Sequence, residues 1–348
     1  MRDGRFFRCV SLIILVFFTA SCASTQVPPI SSSGSAFRPE SDEQRLWGEA
    51  RAEEARLRNK ASLYRDPALE RYLEGVLFGL NPPGMAANRY ISFRITVIED
   101  PTLNAFAFPH GSLYVHTGLL ARMENEDQLA SVLGHEMTHV EGRHLLRQQR
   151  SLRNKQIGYS VAAIAGSLII ASVEDDARDE GKYGKASRIA FTSDLLLGLG
   201  LNLAIIASVN GYGRDLEREA DGGGFAKMAA SGYDVREAPK VYRALMEEQG
   251  DSGKAEVFFF GSHPRLQSRI DAAEEWAAAH PDLVRVSKFQ DQDGFRRRMR
   301  PVILRDAALN LKVGRLELAE SQLDRVLAQT PRDARAYELL GEVKLGQA

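Results

Sequence analysis

The chain is poor in cysteine, in charge imbalance and in long apolar runs. Its 348 residues hold two cysteines, Cys9 and Cys22, so the body of the protein after residue 22 has no disulfide. The formal net charge is −1, which argues against a general nucleic-acid or polybasic role, and no nucleic-acid partner is expected. The apolar run Val10 to Phe18 is too short to span a bilayer. Two further apolar segments, 157–172 and 190–209, are separated by charges running from Asp175 to Arg188. The first is short for a span and the second carries Asp194, Asn202 and several glycines, so both read as buried or cleft-covering helices. What remains is a globular composition, 44% hydrophobic, in a chain long enough for one substantial domain and a smaller one.

The most informative stretch is His135-Glu136-Met137-Thr138-His139. On a helix it sets two imidazoles one turn apart with a carboxylate beside the first, which suits a zinc hydrolase with its general base. The helical phase supports this. Asn125 reads as an N-cap with Gln128 three residues on, in the manner of a capping box. Leu129, Val132, Leu133 and Val140 then share one arc, with Glu136 inside it and His135 and His139 at its edge. A carboxylate and two imidazoles on an apolar face are costly unless something pairs them, and a bound cation would do so.

Two histidines leave a ligand to find. A third histidine following Gly142 would have to stand at position 145, which is Leu145; His144 is one residue early. The stretch Arg214 to Asp221 offers a glutamate instead. Glu217 and Asp221 are four apart and share a helical face with Ala220, Gly224 and Met228, whereas Glu219 points elsewhere. Glu217 is therefore the expected third ligand to one Zn2+ per chain, and Asp221 the partner that fixes the tautomer of a ligating histidine. His116, His144 and His280 are expected to be structural.

Five ordered segments carry a family resemblance across roughly residues 40–280: Asn104-Ala105-Phe106-Ala107, Gly111 to Leu120, the HEMTH run, Gly213 to Asp221, and Ser262-His263-Pro264. Together they resemble a zinc endopeptidase family that includes the CAAX prenyl protease, HtpX and the mitochondrial OMA protease, and within it the BepA-like branch of the bacterial periplasm. The resemblance implies a zincin-like (gluzincin) metallopeptidase domain, mainly α with a small β-sheet, that hydrolyses peptide bonds. It places His263 near the metal as a catalytic candidate beside Glu136. It makes 104–116 the edge strand that pairs with extended substrate, with Asn104, Ala105 and Phe106 as substrate-binding residues. His110 departs from the family, which usually has glycine there.

Residues 41–64 and 66–80 are expected to be helical, with Asp66 as a cap and Pro67 in the first turn. Asn81-Pro82-Pro83-Gly84 breaks the chain. Ile91, Phe93, Ile95 and Val97 alternate as in a half-buried strand, and Leu113 and Val115 suggest another. Ahead of these, Arg2, Arg5 and Arg8 precede the apolar run of a secretory signal over 1–21. Thr19-Ala20-Ser21-Cys22 resembles a lipobox with Cys22 as lipidation site, and 22–40 reads as a flexible tether. Ala23 resembles outer-membrane sorting, so the expected location is the periplasm, anchored in the inner leaflet of the outer membrane.

The metallopeptidase domain is expected over 41–285. In 296–348, Ala319, Leu323 and Pro331, then Tyr337, Leu340 and Gly341, sit at tetratricopeptide spacing, about one and a half repeats. Two functions are compatible with this. One is an endopeptidase that clears misfolded or misassembled outer-membrane proteins, with those proteins or their assembly machinery as partners. The other is a chaperone or assembly factor for such proteins with latent proteolysis. The presence of Glu136 favours the first, since a pure binder has no use for a general base.

Overall fold

The computed structural model describes residues 24–156, 212–251 and 266–347. The signal segment, Cys22, the apolar segments 157–172 and 190–209, and His263 lie outside the described residues. Among the described residues no helix is long and apolar enough to cross a membrane.

The architecture is helical around one small sheet. Helix α1 (Ser41–Lys60) opens with a capping box between Glu40 and Glu43. Strand β1 (Leu63–Tyr64) follows, then α2 (Pro67–Leu80), capped by Asp66, whose side chain accepts from the amides of Ala68 and Leu69. The expected helix over 41–64 therefore ends early. Ala61 is extended, and Leu63 and Tyr64 pair antiparallel with Ile98 and Val97, an interaction that local propensity cannot show.

Strands β2 (Arg94–Ile98), β3 (Ala105–Ala107) and β4 (Ser112–His116) complete a sheet of order β1-β2-β4-β3. β2 and β4 are parallel, with Ile95 opposite Leu113, and β3 is antiparallel to β4, with Phe106 opposite Tyr114. The expected edge over 104–116 is thus narrower. Only Ala105–Ala107 lies at the edge, whereas Ser112–His116 is a central strand with every residue buried.

After β4 come α3 (Thr117–Arg122) and α4 (Glu126–Glu141), which carries the HEMTH run and packs against β3. Asn125 caps α4 by accepting from the Gln128 amide, but the Gln128 side chain reaches back to the amide of Glu124 rather than closing a full box. Residues 127–140 are all buried, so α4 is a central helix and not the one-faced helix its apolar arc suggested. Helix α5 (Arg214–Ser231) lies across it. Their contact is made by glycine. A Cβ on Gly224 would sit 3.0 Å from the His135 nitrogen, and one on Gly134 would sit 3.2 Å from the Gly224 carbonyl oxygen. The backbones approach because neither residue has a side chain.

Helices α6 (Ala238–Asp251) and α7 (Leu266–Ala279) pack on each other, and α7 packs on α5. The tail is α8 (Gln292–Lys312), α9 (Leu316–Gln329) and α10 (Ala334–Gln347). α8 is packed on α3 through a buried carboxylate. Asp306 is 0% exposed and accepts from Thr117 Oγ1 at 3.2 Å, Arg122 Nη1 at 3.0 Å, Asn310 Nδ2 at 2.9 Å and Gln322 Nε2 at 2.7 Å. Phe295, at the start of α8, packs edge-on against Tyr72 of α2.

Candidate metal centre

The α4–α5 crossing brings three donors together. His135 Nε2 and His139 Nε2 are 2.9 Å apart. Glu217 Oε2 lies 3.5 Å from the first and its Oε1 lies 3.6 Å from the second. Ligand atoms around a tetrahedral ion with bonds of about 2.0–2.1 Å stand about 3.4 Å apart, so the set fits a single small cation. All three residues are buried, and their donor atoms lie within 4.8 Å of one another. Two imidazole nitrogens and a carboxylate, with no fourth protein donor in this group among the described residues, suit a zinc-type ion with an open position.

The ring of His135 is fixed from behind. Its Nδ1 is 2.8 Å from Asp221 Oδ1. With Nε2 turned to the donor group, Nδ1 carries the proton and donates to Asp221. Arg269 of α7 then clamps Asp221, with Nη2 at 2.6 Å from Oδ1 and Nε at 3.2 Å from Oδ2. Arg269 also donates to Tyr242 Oη at 2.9 Å and lies over that ring at 4.3 Å. Burial alone would raise the Asp221 carboxyl, but Arg269 and His135 hold it below the ordinary aspartate range. It is therefore an anion where His135 needs an acceptor. Arg269 left no trace in sequence reasoning, because it is 48 positions from its partner and no periodicity joins them.

Glu136 is 1% exposed, beside this group. Burial, with the negative charge of Glu217 adding to it and His135 opposing, pushes its carboxyl up to about 8 in the protein without metal. A cation at the donor group would bring it down. Tyr212 stacks on His139 with ring centroids 4.0 Å apart. A cavity of about 150 Å³ opens beside Glu217, lined in part by Tyr212, Arg214 and Arg269.

Among the other expected site residues, Ala105 and Phe106 lie on the edge strand against α4. Asn104 precedes them, fully buried, and neither its side-chain oxygen nor its nitrogen has a hydrogen-bond partner among the described residues. Glu219 faces away from the donors and is 41% exposed. His116 is buried against Thr102 and Asp100, and His280 is exposed. His144, expected to be structural, is fully buried. Its Nδ1 stands 2.8 Å from His139 Nδ1, behind a proposed ligand.

A buried two-histidine, one-glutamate group on crossed helices, with a carboxylate next to the first histidine, defines the class: a metal-binding hydrolase site. Comparison with known proteins narrows it. The model of peptidase family M48 matches residues 65–277, and the chain belongs to that family. It is 29% identical over 237 residues to the beta-barrel assembly-enhancing protease of Escherichia coli K12, covering 67% of this chain and 44% of that protein. It is 30% identical over 186 residues to mitochondrial metalloendopeptidase OMA1 of Schizosaccharomyces pombe, covering 53% and 47%. A protease HtpX homolog of Limosilactobacillus fermentum is 28% identical over 203 residues, covering 52% of this chain and 67% of that protein. The chain spans less than half the length of the first two relatives.

Proposed function

We propose that this chain is a zinc endopeptidase acting on proteins of the bacterial envelope. The observation that carries the reading is the buried His135–His139–Glu217 group with Glu136 beside it. One Zn2+ held there would supply a Lewis acid and lower the pKa of water toward neutrality. The chain's own residues do the rest. His135, His139 and Glu217 hold the ion, and Asp221, clamped by Arg269, holds His135 in the tautomer that leaves Nε2 free. Glu136 takes the proton of the attacking water and returns it to the leaving amine. His263, suggested by the resemblance of Ser262-His263-Pro264 to the family's segment, hydrogen-bonds the oxyanion as negative charge develops.

Substrate binds in extended form along β3. Among the described residues that strand ends the sheet order and packs on the HEMTH helix, the place at which an added strand would pair. Asn104, Ala105 and Phe106 form this rim. Pairing through main chain reads little sequence, which suits clearance of misfolded or misassembled outer-membrane proteins. The name of the Escherichia coli relative supports the same direction. The tail helices serve docking of such substrates or of their assembly machinery. Lipidation at Cys22 would anchor the protein at the inner leaflet of the outer membrane, facing the periplasm.

Cleavage of an unfolded protein by the zinc-loaded chain, beside Glu136→Gln, tests the activity. Wild type should cleave and the variant should not, and equal cleavage overturns the mechanism. Proteins retained by Glu136→Gln in cells identify the substrate. Fatty-acid labelling of wild type and its loss in Cys22→Ser test the anchor, and a wild type that takes up no label overturns it.

A further inference from the structure

The two ligating histidines are supported differently. His135 has a carboxylate behind it, Asp221. His139 has an imidazole: its Nδ1 is 2.8 Å from His144 Nδ1, and His144 is 0% exposed. Of two nitrogens at that distance one donates and the other accepts. For His139 to turn the lone pair of Nε2 toward Glu217 and His135, its proton must sit on Nδ1, so His144 Nδ1 is the acceptor. The His144 proton then sits on Nε2, which faces Glu219 Oε1 at 3.4 Å.

The local backbone is built to place this ring. α4 ends at Glu141, and Arg143 takes φ 54°, a left-handed conformation that non-glycine residues rarely adopt. The turn is held from α1. Arg143 Nε donates to Glu43 Oε1 at 2.9 Å and Nη2 to Glu43 Oε2 at 2.6 Å, with both side chains buried. Glu40 adds a contact at 3.1 Å, and the guanidinium lies over the Phe37 ring. Gly142 leaves room for the ring itself, since a Cβ there would lie 2.4 Å from His144 Nε2. Tyr212 stacks on His139 and meets His144 edge-on, closing the other side.

We propose that His144 is a positioning residue that fixes the ligating tautomer and ring orientation of His139 through the Nδ1–Nδ1 hydrogen bond, with the Arg143–Glu43 pair bracing the turn that presents it. This rests on the metal-site reading above. A partner behind a ligating histidine typically changes metal affinity by about 10–100-fold when removed. His144→Leu should therefore weaken zinc binding by about that factor. His144→Gln, whose Oε1 can still accept from Nδ1–H, should stay within a few-fold of wild type. A role in packing alone would not be rescued by glutamine, which has no ring to fill the space between Gly142 and Tyr212.

The full chain and both variants are titrated with zinc against a chromophoric chelator, and melting in excess chelator checks that each folds. Nitrogen NMR of the zinc-loaded wild type supplies a measurement that needs no variant. It should show a proton on His139 Nδ1 and a coupling across the hydrogen bond to His144 Nδ1. A folded His144→Leu protein that binds zinc as tightly as wild type, or a zinc-loaded wild type whose His144 Nδ1 carries the proton, overturns the proposal. A wild type that binds no zinc overturns the metal-site reading and this proposal with it, so the two failures are told apart.

Discussion

Replacing Asp306 by alanine tests whether the tail is part of the catalytic fold. The carboxylate accepts from Thr117 and Arg122 of α3 and from Asn310 and Gln322 of the tail, and it is fully buried. Removing it takes the counter-charge from a guanidinium that is only 12% exposed, while Thr117 Oγ1 keeps the Asp100 carbonyl at 3.0 Å and Asn310 Nδ2 keeps Gln322 Oε1 at 3.1 Å. Breaking a buried charge pair costs about 3–5 kcal/mol. Burial outweighs the partners enough to raise the Asp306 carboxyl above its ordinary range, so part of that cost is offset and the expected loss is at the lower end. About 3 kcal/mol corresponds to a fall in Tm of about 6–12 °C for a domain of this size. The assay is thermal unfolding followed by far-UV circular dichroism and by tryptophan fluorescence. The only tryptophans, Trp47 and Trp276, are in α1 and α7, outside the tail. A tail substitution should therefore shift the fluorescence transition together with the dichroism. An unmoved fluorescence transition, with only part of the helical signal lost early, would refute the coupling.

Three further outcomes are expected. Gly224→Ala puts a Cβ 3.0 Å from the His135 nitrogen, so it should push α5 from α4, cost about 1–3 kcal/mol and weaken zinc binding. Gly222→Ala, with nothing within 4 Å, should do neither; chelator competition on both variants checks this. Glu136 in the metal-free protein holds its proton up to about 8, against an ordinary value of 4.5. The folded state thus binds more protons than the unfolded chain across that window, and stability falls as pH rises through it. In excess chelator, Glu136→Gln should gain Tm over wild type progressively from pH 5 to pH 8; a difference independent of pH would contradict the burial argument. His263→Ala should lower turnover by roughly a hundredfold, as for other lost oxyanion donors, with zinc retained. Unchanged turnover would overturn its assignment to the oxyanion.

The parts of the site written in short spacings were legible in sequence. His135 and His139 on one helix, and Glu217 and Asp221 on another, follow from helical phase, and the crossing brings them together. Parts made by distant contacts were not legible. Arg269 reaches Asp221 from another helix, and His144 is placed by a left-handed turn whose positive φ falls on Arg143 and not on the C-capping Gly142 before it. The two-residue strand Leu63–Tyr64 exists only through its pairing with β2. The order β2-β4-β3, which puts Ser112–His116 at the centre and leaves Ala105–Ala107 at the edge, is a matter of topology that alternation does not encode.

The most direct measurement is metal analysis of the purified chain and of Glu217→Ala, Glu219→Ala and Glu136→Gln, read beside peptide cleavage. Three donors on two helices are brought together by the fold, so wild type should carry one zinc per chain. Glu217→Ala should lose it. Glu219→Ala, whose carboxylate faces away from the donors, should keep it. Glu136→Gln should keep zinc and lose cleavage. A Glu217→Ala protein that retains stoichiometric zinc and normal cleavage would contradict the ligand set and the assignment built on it.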